Sequence, residues 1–196
     1  MVIKSRYPEL NLSSVDIYTF LFKRKDRKFP DEHPIFRDGP TNKTYTFGEL
    51  RQLAEIFGKG LRSQYDWQKG DVLAISSASD IDMPPLRDSG AKAIITHYSN
   101  IEAVRKACSA VGIPEDHIII LGHGKDPTGR FKHWTNVRNL ANTARFVARK
   151  IDPRKDAAFL VYSSGTTGKP KGVKLSHYNI TSNILQLQAA ENYNLT

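Results

Sequence analysis

Ala157-Ala158-Phe159-Leu160-Val161-Tyr162, running without a break into Ser163-Ser164-Gly165-Thr166-Thr167-Gly168-Lys169-Pro170-Lys171-Gly172, is the stretch whose reading decides the fold. The first six residues are a short apolar run of the kind that forms a buried strand. The next ten hold four hydroxyls, three glycines and two lysines. That composition suits a phosphate. Glycines let the backbone approach an anion with no side chain in the way, and successive N–H groups form a concave anion nest. Hydroxyls donate hydrogen bonds and a lysine adds charge. The loop is not a Walker A motif, because Pro170 follows Lys169 where Ser or Thr is needed, and position 163, where the motif's first glycine would stand, is Ser. Val173-Lys174-Leu175 then reads as a second strand, so the unit is strand, loop, strand. A helix follows with Ser176 as its cap and Ile180, Ile184 and Leu187 as its buried positions.

Upstream, strands alternate with helices. Val15–Phe22 reads as a short helix followed by a solvated basic run, Lys23–Lys28. Ile35–Arg37 and Lys43–Tyr45 flank turn chemistry and read as a hairpin. Thr46 and Glu49 have capping-box spacing, and Phe47, Leu50, Leu53, Ala54, Phe57 and Leu61 recur on one helical face. Val72–Ile75 reads as a buried strand, Ala93–Thr96 as the next, and between them stands Pro84-Pro85. A parallel crossover needs a dozen or more residues, usually helical, and a proline pair opposes a helix, so this connection reads as inadequate. Afterwards the pattern resumes: a helix over Ile101–Val111 stopped by Gly112, a strand over His117–Leu121, a helical stretch near Val137–Ala148, and the strand of Ala157–Tyr162. Such alternation defines an α/β fold with a largely parallel sheet.

Composition bounds the function classes. The 196 residues, 39% hydrophobic and 25% charged, suit one globular domain or part of a larger one. No apolar run reaches the length of a membrane span and the opening residues hold no secretory signal, which argues against membrane insertion and for an intracellular, cytoplasmic protein. Cys108 is a single cysteine, and histidines at 33, 97, 117, 123, 133 and 177 show no metal-ligand spacing, so no structural metal is expected. The formal charge of +9 resides in residues 122–174, with twelve Lys or Arg against three Asp or Glu; elsewhere charges balance. A polyanionic partner and an acidic complement absent from this chain account for that excess equally well. The basic residues lack regularly interleaved aromatics and match no nucleic-acid module, which argues against nucleic acid.

Tyr162 through Asn179, YSSGTTGKPKGVKLSHYN, resembles the signature loop of the AMP-forming adenylating superfamily: acyl- and aryl-CoA ligases, luciferases and peptide-synthetase adenylation domains. The likeness extends upstream through DVLAI and LRDSGAKAIITH, with the flavour of 4-coumarate–CoA ligase-like enzymes. It implies residues 1–196 as an incomplete N-terminal large domain, a mostly parallel sheet flanked by helices, with the small C-terminal domain absent. It further implies an ATP-dependent acid–CoA ligase in which a carboxylate attacks the α-phosphate of MgATP, pyrophosphate leaves, and coenzyme A captures the acyl-adenylate. Carried onto this chain, Ser163, Ser164, Gly165, Thr166, Thr167, Gly168, Lys171 and Gly172 would hold the nucleotide phosphates, whereas Lys169, at a variable family position, would face solvent. His177 matches the family's SH element and equally suits a first-turn helix residue. The family's adenine, Mg and ribose sites and its adenylation lysine have no counterpart in these residues. Its helix, strand and helix between the elements matching Val72–Ile75 and Ala93–Thr96 are missing too. A truncated ligase inactive on its own is therefore expected, and a non-catalytic polyanion- or nucleotide-binding fragment is the alternative.

Overall fold

A computed structural model describes Tyr7 and residues 9–39, 41–76, 88–139, 149–163 and 170–194. The proline-interrupted crossover, positions 140–148 of the helix expected near Val137–Ala148, and positions 164–169 of the glycine-rich loop lie outside these. The chain divides into two compact units, one of Met1–Arg27, Lys150–Tyr162 and Val173–Thr196, the other of Lys28–Arg149 and Ser163–Gly172.

The larger unit opens with an antiparallel hairpin, β1 (Pro34–Arg37) and β2 (Thr44–Thr46). Helix α2 (Phe47–Tyr65), second in the chain after α1 (Ile17–Phe22), starts where the sequence requires. The Thr46 hydroxyl accepts from the Glu49 N–H, and the Glu49 carboxylate accepts from the Thr46 N–H, a reciprocal cap. Four parallel strands follow in the order β3 (Val72–Ser76), β4 (Ala91–His97), β5 (Ile118–Leu121) and β6 (Lys132–His133). Helix α3 (Ile101–Val111) links β4 to β5 and ends on Gly112, whose φ of 78° is the left-handed conformation that glycine adopts without strain. Helix α4 (Trp134–Asn139) follows β6.

Side chains alternate across the sheet and divide the core in two. Ile94, Ile118 and Ile120 point to the face covered by α3, packing on Ile101, Val104 and Cys108. Ile95 and Ile119 point to the opposite face, against Leu61 and Tyr65 of α2 and Val137 of α4. Each isoleucine so enclosed contributes about 1.5–3 kcal/mol relative to exposure. The α/β architecture with a parallel sheet flanked by helices is thus as expected. Strand β3 pairs directly with β4 despite the proline pair in the sequence between them. One expectation needs correcting, however: β3 is not a buried strand, for among the described residues it pairs with β4 alone, and Ile75 is 69% exposed. An apolar run identifies a strand but not how many neighbours it has.

In the smaller unit, α1 (Ile17–Phe22) is capped by Asp16, which accepts from the Thr19 N–H and hydroxyl, and it buries Phe20. Strands β7 (Ala157–Ser163) and β8 (Lys171–Ser176) pair as a two-stranded sheet, and α5 (His177–Asn194) follows β8 and packs on α1. Here too the sequence reading needs amending. Strand β7 is not fully buried but alternates exposed and half-buried residues, and Leu187 of α5 is 56% exposed while Thr181 and Ser182 are buried. Among the described residues no helix is long and apolar enough to cross a membrane.

Candidate nucleotide-phosphate site

The glycine-rich loop begins on the last residue of β7 and returns on the first of β8. Its strand, loop, strand frame is therefore the one read from the sequence. Ser163 closes β7 and is exposed; Lys171 and Gly172 open β8 and are exposed as well. Ser164, Gly165, Thr166, Thr167 and Gly168, together with Lys169, lie outside the described residues. The structure thus brings the two ends of the candidate site to adjacent strands. No described side chain pairs with the ammonium of Lys171, although elsewhere the chain matches many of its cations with acids or aromatic rings. A free ammonium, an exposed hydroxyl and a hairpin-like frame suit an anionic group such as a nucleotide phosphate.

The ground just beyond the loop is firmly built. Ser176 closes β8 and caps α5: its N–H and hydroxyl donate to the Asn179 side-chain oxygen, and its hydroxyl accepts from the Asn179 N–H. Tyr178 N–H donates to the Pro153 carbonyl, and the Arg154 guanidinium lies 3.7 Å from the Tyr178 ring centroid. The imidazole Nδ1 of His177 accepts the Ile17 N–H at 3.2 Å and ties the first turn of α5 to that of α1. Burial pushes the Asp16 carboxyl up, but hydrogen bonds from Thr19 and the nearby His177 outweigh it and hold its pKa below the usual carboxylate value. Of the two roles open for His177, the structure supplies the structural one. Sequence spacing had no access to it, since the partner stands 160 positions away.

The basic stretch does not form a bare cationic surface. Arg130 pairs with Glu115, Arg149 donates to Gln68, Arg138 lies over Trp134, and Lys155 sits beside Asp152. His133 is held at both ring nitrogens, by Thr135 and by the Gly122 carbonyl, and Cys108 is buried with its thiol pushed up to about 11 by desolvation. Among the described residues no group of three His, Cys, Asp or Glu side chains gathers to hold a metal.

These features define a class first: an α/β chain whose larger unit is a parallel sheet between helices, with a glycine-rich loop between two paired strands. Solved structures share that fold. The long-chain-fatty-acid–CoA ligase of Archaeoglobus fulgidus superposes with a TM-score of 0.75 at 20% identity, covering 96% of this chain and 42% of that one. The AMP-binding enzyme family model matches residues 83–196, and the chain belongs to that family. Among curated relatives, 4-coumarate–CoA ligase 3 of Oryza sativa subsp. japonica is 26% identical over 223 residues, covering all of this chain and 38% of the relative. Acyl-CoA synthetase 7 of Caenorhabditis elegans is 34% identical over 120 residues, 59% of this chain and 21% of the relative. The chain therefore spans about two fifths or less of the length of these relatives. The rice match runs to 223 positions against 196 residues here, so the relative has more polypeptide within the same span.

Proposed function

We propose that the chain is the ATP-phosphate-binding portion of an acid–CoA ligase, with Ser163–Gly172 holding the β- and γ-phosphates of ATP. The single observation carrying this reading is the β7-loop-β8 frame, which presents Ser163 and an unpaired Lys171 on adjacent strands in a chain of the AMP-binding family. Ser164, Gly165, Thr166, Thr167, Gly168 and Gly172 complete the proposed cradle through hydroxyls and backbone N–H groups. Their task is electrostatic: when a carboxylate attacks the α-phosphate, charge moves onto the departing pyrophosphate, and preorganised donors stabilise it. ATP with Mg, a carboxylic acid and coenzyme A are the proposed substrates. The buried thiol of Cys108 suits a reducing, cytoplasmic setting.

In this reading the 196-residue polypeptide binds nucleotide without forming acyl-adenylates, because the groups that orient adenine, ribose, Mg and the acid belong to parts of the family's sequence not matched here. Orientation contributes on the order of 7–11 kcal/mol to a two-substrate step. Calorimetric titration with ATP and with pyrophosphate tests the assignment. Lys171→Ala should weaken binding by about 1.5–3 kcal/mol, the range for a charged hydrogen bond, and Lys169→Ala by clearly less. Equal losses in the two variants would remove Lys171 from the site, and acid-dependent pyrophosphate–ATP exchange by the polypeptide alone would overturn its proposed incompetence.

A further inference from the structure

The hairpin of β1 and β2 has an irregular ladder. Pro34 pairs with Thr46 and Phe36 with Tyr45, so Ile35 is an extra residue on β1, a β-bulge. A bulge bends its strand and re-aims the side chains beside it. Ile35, Phe36 and Arg37 would alternate in direction along a regular strand, yet here they border one cavity together with Pro34 and Thr44. Its volume of about 370 Å³ falls within the range of small-molecule sites. All four residues of β1 are exposed, and Phe36 leaves 62% of its surface to solvent. An aromatic ring so open, beside Ile35 and Pro34, offers apolar contact area that the fold itself does not consume.

The charge of the lining selects the occupant. Arg37 is the one charged side chain among the five, it stands opposite Thr44 in the ladder, and no described residue pairs with its guanidinium. Asp38, its neighbour in sequence, accepts instead from the N–H and hydroxyl of Thr41, and the Thr44 hydroxyl donates to the Asn42 carbonyl at 3.3 Å. One guanidinium calls for one negative charge, and its planar fork fits a carboxylate at two points. A dianionic phosphate would ask for a second cation, which the lining lacks. The open ring of Phe36 favours a flat apolar body next to that charge. No acid, thiol or imidazole lines the cavity, so it suits holding such an anion rather than transforming it. We propose that the β1–β2 cavity is a binding site for a small aromatic monocarboxylate, gripped by Arg37 and stacked on Phe36. The inference is independent of the nucleotide reading, since none of these residues belongs to Ser163–Gly172.

Nuclear magnetic resonance of the full chain tests this. Amide shifts are followed as naphthalene-2-carboxylate is added without ATP, with naphthalene-2-methanol as the neutral probe of the same body. The expected result is saturable shifts centred on Ile35, Phe36, Arg37 and Thr44, with the alcohol bound about tenfold more weakly than the carboxylate. Arg37→Gln, at an exposed site where folding is undisturbed, should weaken the carboxylate about tenfold and leave the alcohol as it was. Phe36→Ala should weaken both probes. Lys43→Gln removes a cation of the same hairpin that lies over the Tyr45 ring instead of lining the cavity, and should change neither. Shifts that are absent or centred elsewhere, equal affinity for the two probes, or an Arg37→Gln variant that binds like the wild type would each overturn the proposal. Shifts at the same residues that grow with protein concentration alone would overturn it in favour of a second copy of the chain.

Discussion

Thr96 and Tyr65 carry hydroxyls that are buried without hydrogen-bond partners. Thr96 is fully enclosed, on the same face of β4 as Ile94, where α3 covers the sheet. Tyr65 is 5% exposed, its ring edge-on to His117, and desolvation followed by the charge of Asp116 pushes its hydroxyl up to about 12. An orphaned polar group costs its desolvation, about 1–3 kcal/mol, whereas an apolar group of the same shape does not. Thr96→Val should therefore stabilise by about 1 kcal/mol and Tyr65→Phe should be neutral or stabilising, since its ring contacts survive. Urea midpoints check both; a loss of more than about 1 kcal/mol in either would mean the hydroxyl has a partner in solution. Gly60 makes the opposite case. An added Cβ would lie 2.0 Å from the Val137 carbonyl oxygen, so α2 and α4 approach at a distance only glycine permits. Helix propensity favours alanine by about 1 kcal/mol. The clash is with backbone, which cannot rotate away, and overpacking costs about 3 kcal/mol at the upper end of its usual range. Gly60→Ala should thus lower stability by about 2 kcal/mol net, and a gain would show that the helices separate freely.

At the scale of elements, local chemistry was the legible part. The Thr46 and Glu49 spacing forms its reciprocal cap, Gly112 ends α3, and the apolar periods locate β4, β5 and α3 within a residue or two. What could not be read is whatever depends on distant partners: the exposure of Ile75 on β3, the two-residue β6, the outward turn of Leu187, and the tie from His177 to Ile17. The candidate site divides likewise. Its residue types and flanking strands were plain from composition, but hydrophobic pattern says nothing about which cations find acids within the fold. Ion pairs between elements now make a pH prediction. Lys92 and the Gln68 N–H hold the Asp71 carboxyl below its ordinary value of 3.8, and Arg105, with Arg130 beside it, does the same for Glu115 from 4.5. Because the folded-state values are the lower ones, the unfolded chain takes up protons first as pH falls. Stability from these pairs is therefore complete above about pH 5 and is lost as pH falls through the depressed values. Urea midpoints measured from neutral pH downward should fall in that window, and a midpoint that rises on acidification would contradict the pairing.

For the whole molecule, the unequal division of the core sets the order of unfolding. The larger unit encloses both clusters, with Ala93, Val104, Val137 and Ile118–Ile120 at 0% exposure. Among the described residues, the smaller unit buries Phe20 as its one large apolar side chain, alongside Thr181 and Ser182. Hydrophobic stabilisation scales with apolar area removed from water, so the smaller unit should open at lower denaturant than the larger. The sequence provides a built-in way to see this. Both tryptophans, Trp67 and Trp134, pack against the cluster under α2 and α4 and report the larger unit alone, while far-UV circular dichroism counts α1 and α5 as well. Urea unfolding should therefore begin in circular dichroism before tryptophan fluorescence moves, with amide exchange fastest in β7, β8 and α5 and slowest in β4 and β5. Two-state behaviour demands coincident curves from different probes. Superimposable transitions would show that the smaller unit borrows its stability from the larger, and that counting buried side chains unit by unit underestimates what holds β7 and β8 in place.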